Sequence, residues 1–150
     1  MEANQAGAPV FRLQKIYLKD LSFESPGAPE VFFTQVEPQV KIDLSVSNRK
    51  LDEEHWEVVL HVNATVTAGE ATLFIVEVEH AGAFLIKDIP EEHLAGILSV
   101  DCPTAIFPFT RQVLSQATID GGFAPFLLEP VNFLALYQKA RSEQEQEAKH

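Results

Sequence analysis

Trp56-Glu57-Val58-Val59-Leu60-His61-Val62-Asn63-Ala64-Thr65-Val66, then Thr67-Ala68-Gly69-Glu70, then Ala71-Thr72-Leu73-Phe74-Ile75-Val76-Glu77-Val78-Glu79-His80 reads as a β-hairpin. Side chains along a strand alternate with period two. Trp56, Val58, Leu60, Val62, Ala64 and Val66 therefore share one face of the first run. On the second run Phe74, Val76 and Val78 fall on one face, and Leu73, Ile75, Glu77 and Glu79 on the other. Gly69 supplies the permissive backbone for the reversal. A lone hairpin is marginal in water, so this one demands further strands or a helix layer.

Toward the N-terminus the chain offers two more strands. In the nearer one Val36, Val40, Ile42, Leu44 and Val46 alternate with Glu37, Gln39, Lys41, Asp43 and Ser45. Pro38 lacks an amide donor, which places it at a strand end or a sheet edge. Ser47 to His55 reads as a polar turn into the hairpin, so three strands with short links predict an antiparallel meander. A fourth strand runs from about Val10 to Glu24, with Phe11, Leu13, Tyr17, Leu21 and Phe23 apolar at odd positions. Ile16 and Leu18 interrupt that alternation, which points either to a middle covered on both faces or to a bulge that resets the phase. Ser25-Pro26-Gly27-Ala28-Pro29 is a turn or crossover loop, with the apolar patch Val31-Phe32-Phe33 behind it, and residues 1–9 read as a loose terminus.

After His80 the pattern changes. Ala81 to Pro90 reads as an apolar loop between Gly82 and Pro90. From Glu91 the spacing is helical, through Leu94, Ile97 and Leu98. Asp101 is positioned to cap a second segment with Pro103 in its first turn, and Ile106, Phe107, Thr110, Val113, Leu114 and Ala117 continue the spacing. Pro108 is expected to kink this helix and Gly121-Gly122 to end it. Phe123 to Glu129 is another apolar connector, and Pro130 opens a last helix striped by Phe133, Leu134, Leu136, Tyr137 and Ala140. From about Ser142 to His150 the charged, low-complexity tail is expected to fray.

The 150 residues fit one domain, large enough to bury about 68–70% of its unfolded surface without a disulfide. Cys102 is the one cysteine, compatible with a reducing cytosol, and the first residues show no secretory pattern. No run is apolar for long enough to span a bilayer. The 22 acidic and 11 basic residues leave a net charge of −11, which argues against binding a phosphate backbone and for a basic protein partner or plain solubility. The seven glycines form no phosphate-cradling motif. Glu53-Glu54-His55 and Glu91-Glu92-His93 place ligand types side by side, but adjacent turn residues rarely converge on one ion. His61 and His80 have opposite parity and read as ordinary surface histidines; Cys102 reads as a buried, inert thiol. No acid, base and oxyanion site assemble, so no catalytic residue, metal or cofactor is expected.

Two features exceed what folding requires. Asp20 and Glu24 oppose the apolar set of their strand, as Glu77 and Glu79 do on theirs. If those strands are neighbours, the outer face of the sheet carries carboxylates around the aliphatic pair Leu73 and Ile75, an interface with a polar rim. The connectors are also rich in apolar residues, Phe32, Phe33, Phe84, Leu85, Ile86, Phe123, Phe126 and Leu127 among them. They read either as satellite core beneath the loops or, more sharply, as a hydrophobic groove for another chain or burial between subunits.

Three separated motifs carry a family resemblance. They are Ile16-Tyr17-Leu18-Lys19-Asp20-Leu21-Ser22-Phe23-Glu24-Ser25-Pro26-Gly27-Ala28-Pro29, Cys102-Pro103-Thr104-Ala105-Ile106-Phe107-Pro108-Phe109-Thr110-Arg111, and Pro130-Val131-Asn132-Phe133 with Leu136-Tyr137. In order and spacing they resemble the bacterial protein-export chaperone family SecB, from about Phe11 to Ala140. The resemblance implies an α+β fold: a four-stranded antiparallel sheet with helices on one face. It implies subunits paired through the first strand and stacked by their long helices into a homotetramer, a dimer of dimers. It implies a cytoplasmic, ATP-independent chaperone that holds precursor proteins unfolded and passes them to the export motor SecA, without nucleic-acid binding or membrane insertion. The family's motor-docking positions fall on Asp20, Glu24, Ile75 and Glu77, with isoleucine where leucine is usual. Val36, Phe84, Ile86, Phe126, Leu127 and Tyr137 are the candidates for the substrate groove. The rival reading is an α+β enzyme or small-ligand protein with a pocket between sheet and helices.

Overall fold

In the computed structural model, which describes residues 7–148, the hairpin is the centre of a four-stranded antiparallel sheet ordered β1-β4-β3-β2. The strands are β1 (Val10–Glu24), β2 (Gln39–Lys50), β3 (His55–Ala68) and β4 (Ala71–Lys87). β2, β3 and β4 form the expected meander, and β1 lies beside β4. Residues 1–6 of the expected loose terminus, and 149–150 of the tail, fall outside the described residues. A short 3-10 turn, Glu30–Phe33, follows β1 and buries Val31.

β1 resolves its broken alternation with two bulges, one between Leu13 and Lys15 and one between Leu18 and Asp20. Each inserts one residue, so Leu13 and Ile16, then Leu18 and Leu21, face the same way although they are three apart. β1 thus points Phe11, Leu13, Ile16, Leu18, Leu21 and Phe23 to the helix side, and Tyr17 to the other.

Three expectations about the sheet change. β4 does not end at His80; it runs to Lys87, pairing with β1 to its end and with β3 as far as Leu85, so Phe84, Leu85 and Ile86 are strand residues. Ala81, Gly82 and Ala83 looked like a loop because they are small, yet that smallness admits the helix layer: a Cβ on Gly82 would lie 2.7 Å from the Phe84 ring and 3.3 Å from Ile106. β2 begins at Gln39, after Pro38, and leaves Val36 in the preceding loop. Leu73 is buried in the core cluster, so Ile75 stands without an exposed aliphatic partner there.

The helical part starts with α1 (Glu91–Gly96), which passes through a π-helical turn (Ile97–Asp101) into α2 (Cys102–Asp120). Asp101 is helical and its side chain caps nothing; the backbone widens by a π turn just before Pro103, which has no N–H to give. α2 is helical through Pro108. It stops where the Phe123 N–H reaches the Thr118 carbonyl over Gly122, whose φ is 93°. α3 (Phe133–Ala148) begins after Pro130, its start capped by Asn132, whose Oδ1 accepts from the Ala135 N–H at 2.9 Å. It runs past Ser142 to Ala148, exposed from Gln138 onward.

The core lies between α2 and the middle of the sheet. Cys102, Ile106, Phe107, Leu114 and Ala117 of α2 pack on Val58, Leu60 and Val62 of β3 and Phe74, Val76, Val78 and Phe84 of β4. α2 lies over β4, β3 and β1, while β2 receives no comparable cover.

Candidate functional site

β2 continues the core face of the sheet outward: Val40 pairs with Val66, Ile42 with Ala64, Leu44 with Val62 and Val46 with Leu60. Because α2 stops short of it, Val40 and Ile42 keep 51% and 40% of their surfaces open. The connector after α2 arches back along this uncovered strip. Between them lies an open trough of about 720 Å³, walled by Val40, Ile42 and Leu44 on one side and by Phe126, Leu127, Val131 and Leu136 on the other. Leu127 is 70% exposed on its rim. The Phe126 N–H bonds the buried Thr118 hydroxyl at 2.9 Å, which pins the connector to the end of α2. A second hollow, of about 230 Å³, extends the strip along β2 past Leu44 and Val46 to Phe133, Tyr137 and Ala140.

Of the groove candidates, Phe126, Leu127 and Tyr137 line these hollows. Val36 is exposed in the loop beside the β3–β4 turn, 3.9 Å from the position of a Cβ on Gly69. Phe84 is 0% exposed, stacked on Phe11 at 5.6 Å inside the core, and offers no surface to another chain. Ile86 is buried at the floor of a separate hollow lined by Trp56, Ile89 and Leu94. Both belong to β4, which runs on past His80, rather than to a loop. The lining that the candidates miss, Val40, Ile42, Leu44 and Leu136, shows in the sequence as alternation and helical spacing, which do not distinguish a groove from a core.

The opposite face of the sheet is polar. Across β1, β4 and β3 its rows read Asp20–Glu79–His61, Ser22–Glu77–Asn63 and Glu24–Ile75–Thr65. Asp20, Glu24, Ile75 and Glu77 therefore share one patch, joined by Glu79 and, on β2, by Asp43 beyond Asn63. His61 Nε2 lies 2.8 Å from Glu77 Oε1. Ile75 is half-buried among these carboxylates.

Farther along the same face Glu57 of β3 is 5% exposed. The Tyr17 hydroxyl donates to it at 2.5 Å, Lys19 Nζ reaches both its oxygens at 3.2 Å, and Arg49 Nη2 stands at 3.4 Å. Tyr17 and Lys19 belong to β1, two strands away; they reach over β4 because Ala81 and Ala83 present only methyl groups there. Burial pushes the Glu57 carboxyl up, but the hydrogen bonds from Tyr17 and Lys19 and the charges of Lys19 and Arg49 outweigh it and hold it below the usual range. Burial, with the bond to Glu57, pushes Tyr17 up to about 12.

His80 is a buried residue, contrary to the surface expectation, because it points to the helix side between Leu18 and Leu60. Its Nδ1 meets the Thr110 hydroxyl of α2 at 3.0 Å, and burial lowers its pKa. Cys102 is buried and its thiol is pushed well up by that burial. Among the described residues no three of His, Cys, Asp and Glu converge as metal ligands, and no helix is long and apolar enough to cross a membrane.

An open antiparallel sheet with helices over part of one face, an apolar trough where the cover ends and a carboxylate-rich back defines the SecB-like α+β class. The same fold is found in the SecB-like chaperone of Mycobacterium tuberculosis solved in complex with a ChAD peptide from the HigA1 antitoxin. The TM-score is 0.63 and the identity 15%, over 81% of this chain and 90% of that one. Residues 4–144 match the family model described as preprotein translocase subunit SecB. The chain is 61% identical to the protein-export protein SecB of Desulfotalea psychrophila, over 96% of this chain and 95% of that protein. It is 43% identical to that of Magnetococcus marinus, over 95% and 91%. The chain belongs to the SecB family of protein-export chaperones.

Proposed function

We propose that this protein holds precursor polypeptides unfolded in the cytoplasm, without ATP or any cofactor, and hands them to the motor SecA. The observation that carries this is the uncovered inner face of β2, an open apolar strip that the fold itself leaves exposed. Val36, Phe126, Leu127 and Tyr137 contact the client, together with Val40, Ile42, Leu44 and Leu136. The carboxylate patch Asp20, Glu24 and Glu77 around Ile75 receives the motor. No nucleic acid is bound and no part inserts into a membrane; the charge of −11 opposes the first.

Magnitudes favour an assembly. A short segment that buries about 200 Å² of apolar surface in one trough gains roughly 5 kcal/mol gross, much of it offset by lost chain freedom. One groove is therefore a weak site. A homotetramer, paired along the β1 edges and stacked through its helices as a dimer of dimers, offers several grooves to one chain, and linked sites gain about 10²–10⁴ in affinity. A folded protein hides its apolar segments and is ignored.

Light scattering on a sizing column tests this, with the protein alone and after mixing with a chemically denatured polypeptide. A particle of about four subunits that co-elutes with the unfolded chain, and leaves the same chain alone once folded, is expected. A monomer that ignores both sinks the proposal.

A further inference from the structure

The outer face of the sheet is charged at both ends, with opposite signs. Beyond the Glu57 network, the β1–β4 ladder carries Lys15 opposite Ala83, Arg12 opposite Leu85 and Lys87 opposite Val10, all exposed. Lys19 and Arg49 adjoin them. Five of the 11 lysines and arginines of an acidic chain thus gather on one end of one face. Lys41, past Thr65 on β2, is the cation nearest the acidic end, and the loop carboxylates Asp52, Glu53, Glu54 and Asp88 lie beyond the strands at the basic end, Asp52 against His55 and Glu53 against Lys50. Lys19 and Arg49 are tied to Glu57, but Lys15 and Lys87 have no carboxylate partner within 4 Å among the described residues. From Ala83 to Glu79 is four residues, about 14 Å at strand spacing, so one partner surface can meet both signs.

We propose that the outer face docks a partner surface of matching polarity, its cations over Asp20, Glu24, Glu77 and Glu79 and its carboxylates over Arg12, Lys15 and Lys87. The Glu57 network divides the two ends. A uniform polyanion is not the occupant, because one lying on Arg12 and Lys15 runs directly onto the carboxylates. A purely basic partner gains nothing from the cationic end. A bipolar partner is fixed in one direction along the strands, since reversal sets like charges together. This deepens the reading that the export motor docks at the acidic end, and rests on it: the motor's contact surface continues into an acidic segment.

Calorimetric titration of the motor at low salt, against the wild type and charge-reversal variants, separates the possibilities by sign. Against a purely basic docking surface, Arg12→Glu with Lys15→Glu, or Lys87→Glu alone, adds negative charge and tightens binding. A bipolar surface predicts the reverse, a loss of about fivefold for the double reversal. Lys87 lies on β4, away from the free edge of β1, so its variant leaves any pairing through that edge untouched; column mass and melting temperature verify both. Tighter or unchanged binding by Lys87→Glu, with Asp20→Lys still losing affinity, overturns this inference and leaves the motor site standing. No loss with Asp20→Lys overturns both.

Discussion

Glu57 is the residue on which the back of the sheet turns. A carboxylate buried on a sheet face would be destabilising alone, but three donors from two other strands surround it. Lys19 and Arg49 keep 37% and 66% of their side chains in water, so losing Glu57 strands neither charge in the interior. Glu57→Gln is therefore expected to cost about 1–2 kcal/mol, the scale of charge-assisted hydrogen bonds, rather than the larger penalty of a broken buried ion pair. Its pH signature has a definite sign. A carboxyl held below its ordinary range stabilises the fold above pH 4.5, and that contribution disappears as pH falls through the folded-state value. Denaturant titrations from pH 7 to pH 3 should show the wild type losing its advantage over Glu57→Gln on the acid side. His80, whose pKa is lowered, adds an acid-side loss of its own, present in both proteins and so cancelling in the difference. A gap that stays constant across this range would show that the carboxylate's charge is not what matters.

Strands and helices were legible in the sequence wherever one periodicity ruled. β3, the start of β4 and the polar back carrying Asp20, Glu24 and Glu77 follow from alternation alone. Two elements were not legible, for physical reasons. Bulges add single residues that alternation counts as errors, so β1 allowed two readings until its partner strand was seen. The Ala81-Gly82-Ala83 run has the composition of a loop, and only its packing, with Ile106 above and Tyr17 and Lys19 crossing below, shows why a strand is small there. The same limit hid the groove: Ile42 alternates like a core residue, and no local pattern records that α2 stops short of β2. This element yields a sharp test. Ile42 is already part-exposed, so Ile42→Asp should fold with little change in melting temperature while lowering affinity for a denatured client by about tenfold or more, since a charge must then be desolvated in the trough. Equal affinity in fluorescence anisotropy with a labelled unfolded chain would remove β2 from the client site.

On the scale of the molecule the two faces of the sheet are chemically separate. The apolar strip lies on the helix side, beside β2, and the carboxylates lie on the back, centred on β1 and β4. If the client lies in the strip and the motor on the carboxylates, as proposed, both can be engaged at once without competing for side chains. On that reading, transfer does not require the motor to displace the client from its own groove; it requires only that the client's many weak contacts release in turn. That follows from binding by repetition. If each trough contributes a weak contact, affinity must grow with the number of troughs one chain can reach. Truncating an unfolded client in steps, and measuring dissociation constants at constant protein concentration, should give a steep fall in affinity once the segment is too short to span two grooves, of about 10²-fold or more. A smooth dependence on apolar content, with no threshold in length, would mean that one groove carries the binding and that the assembly serves some other end.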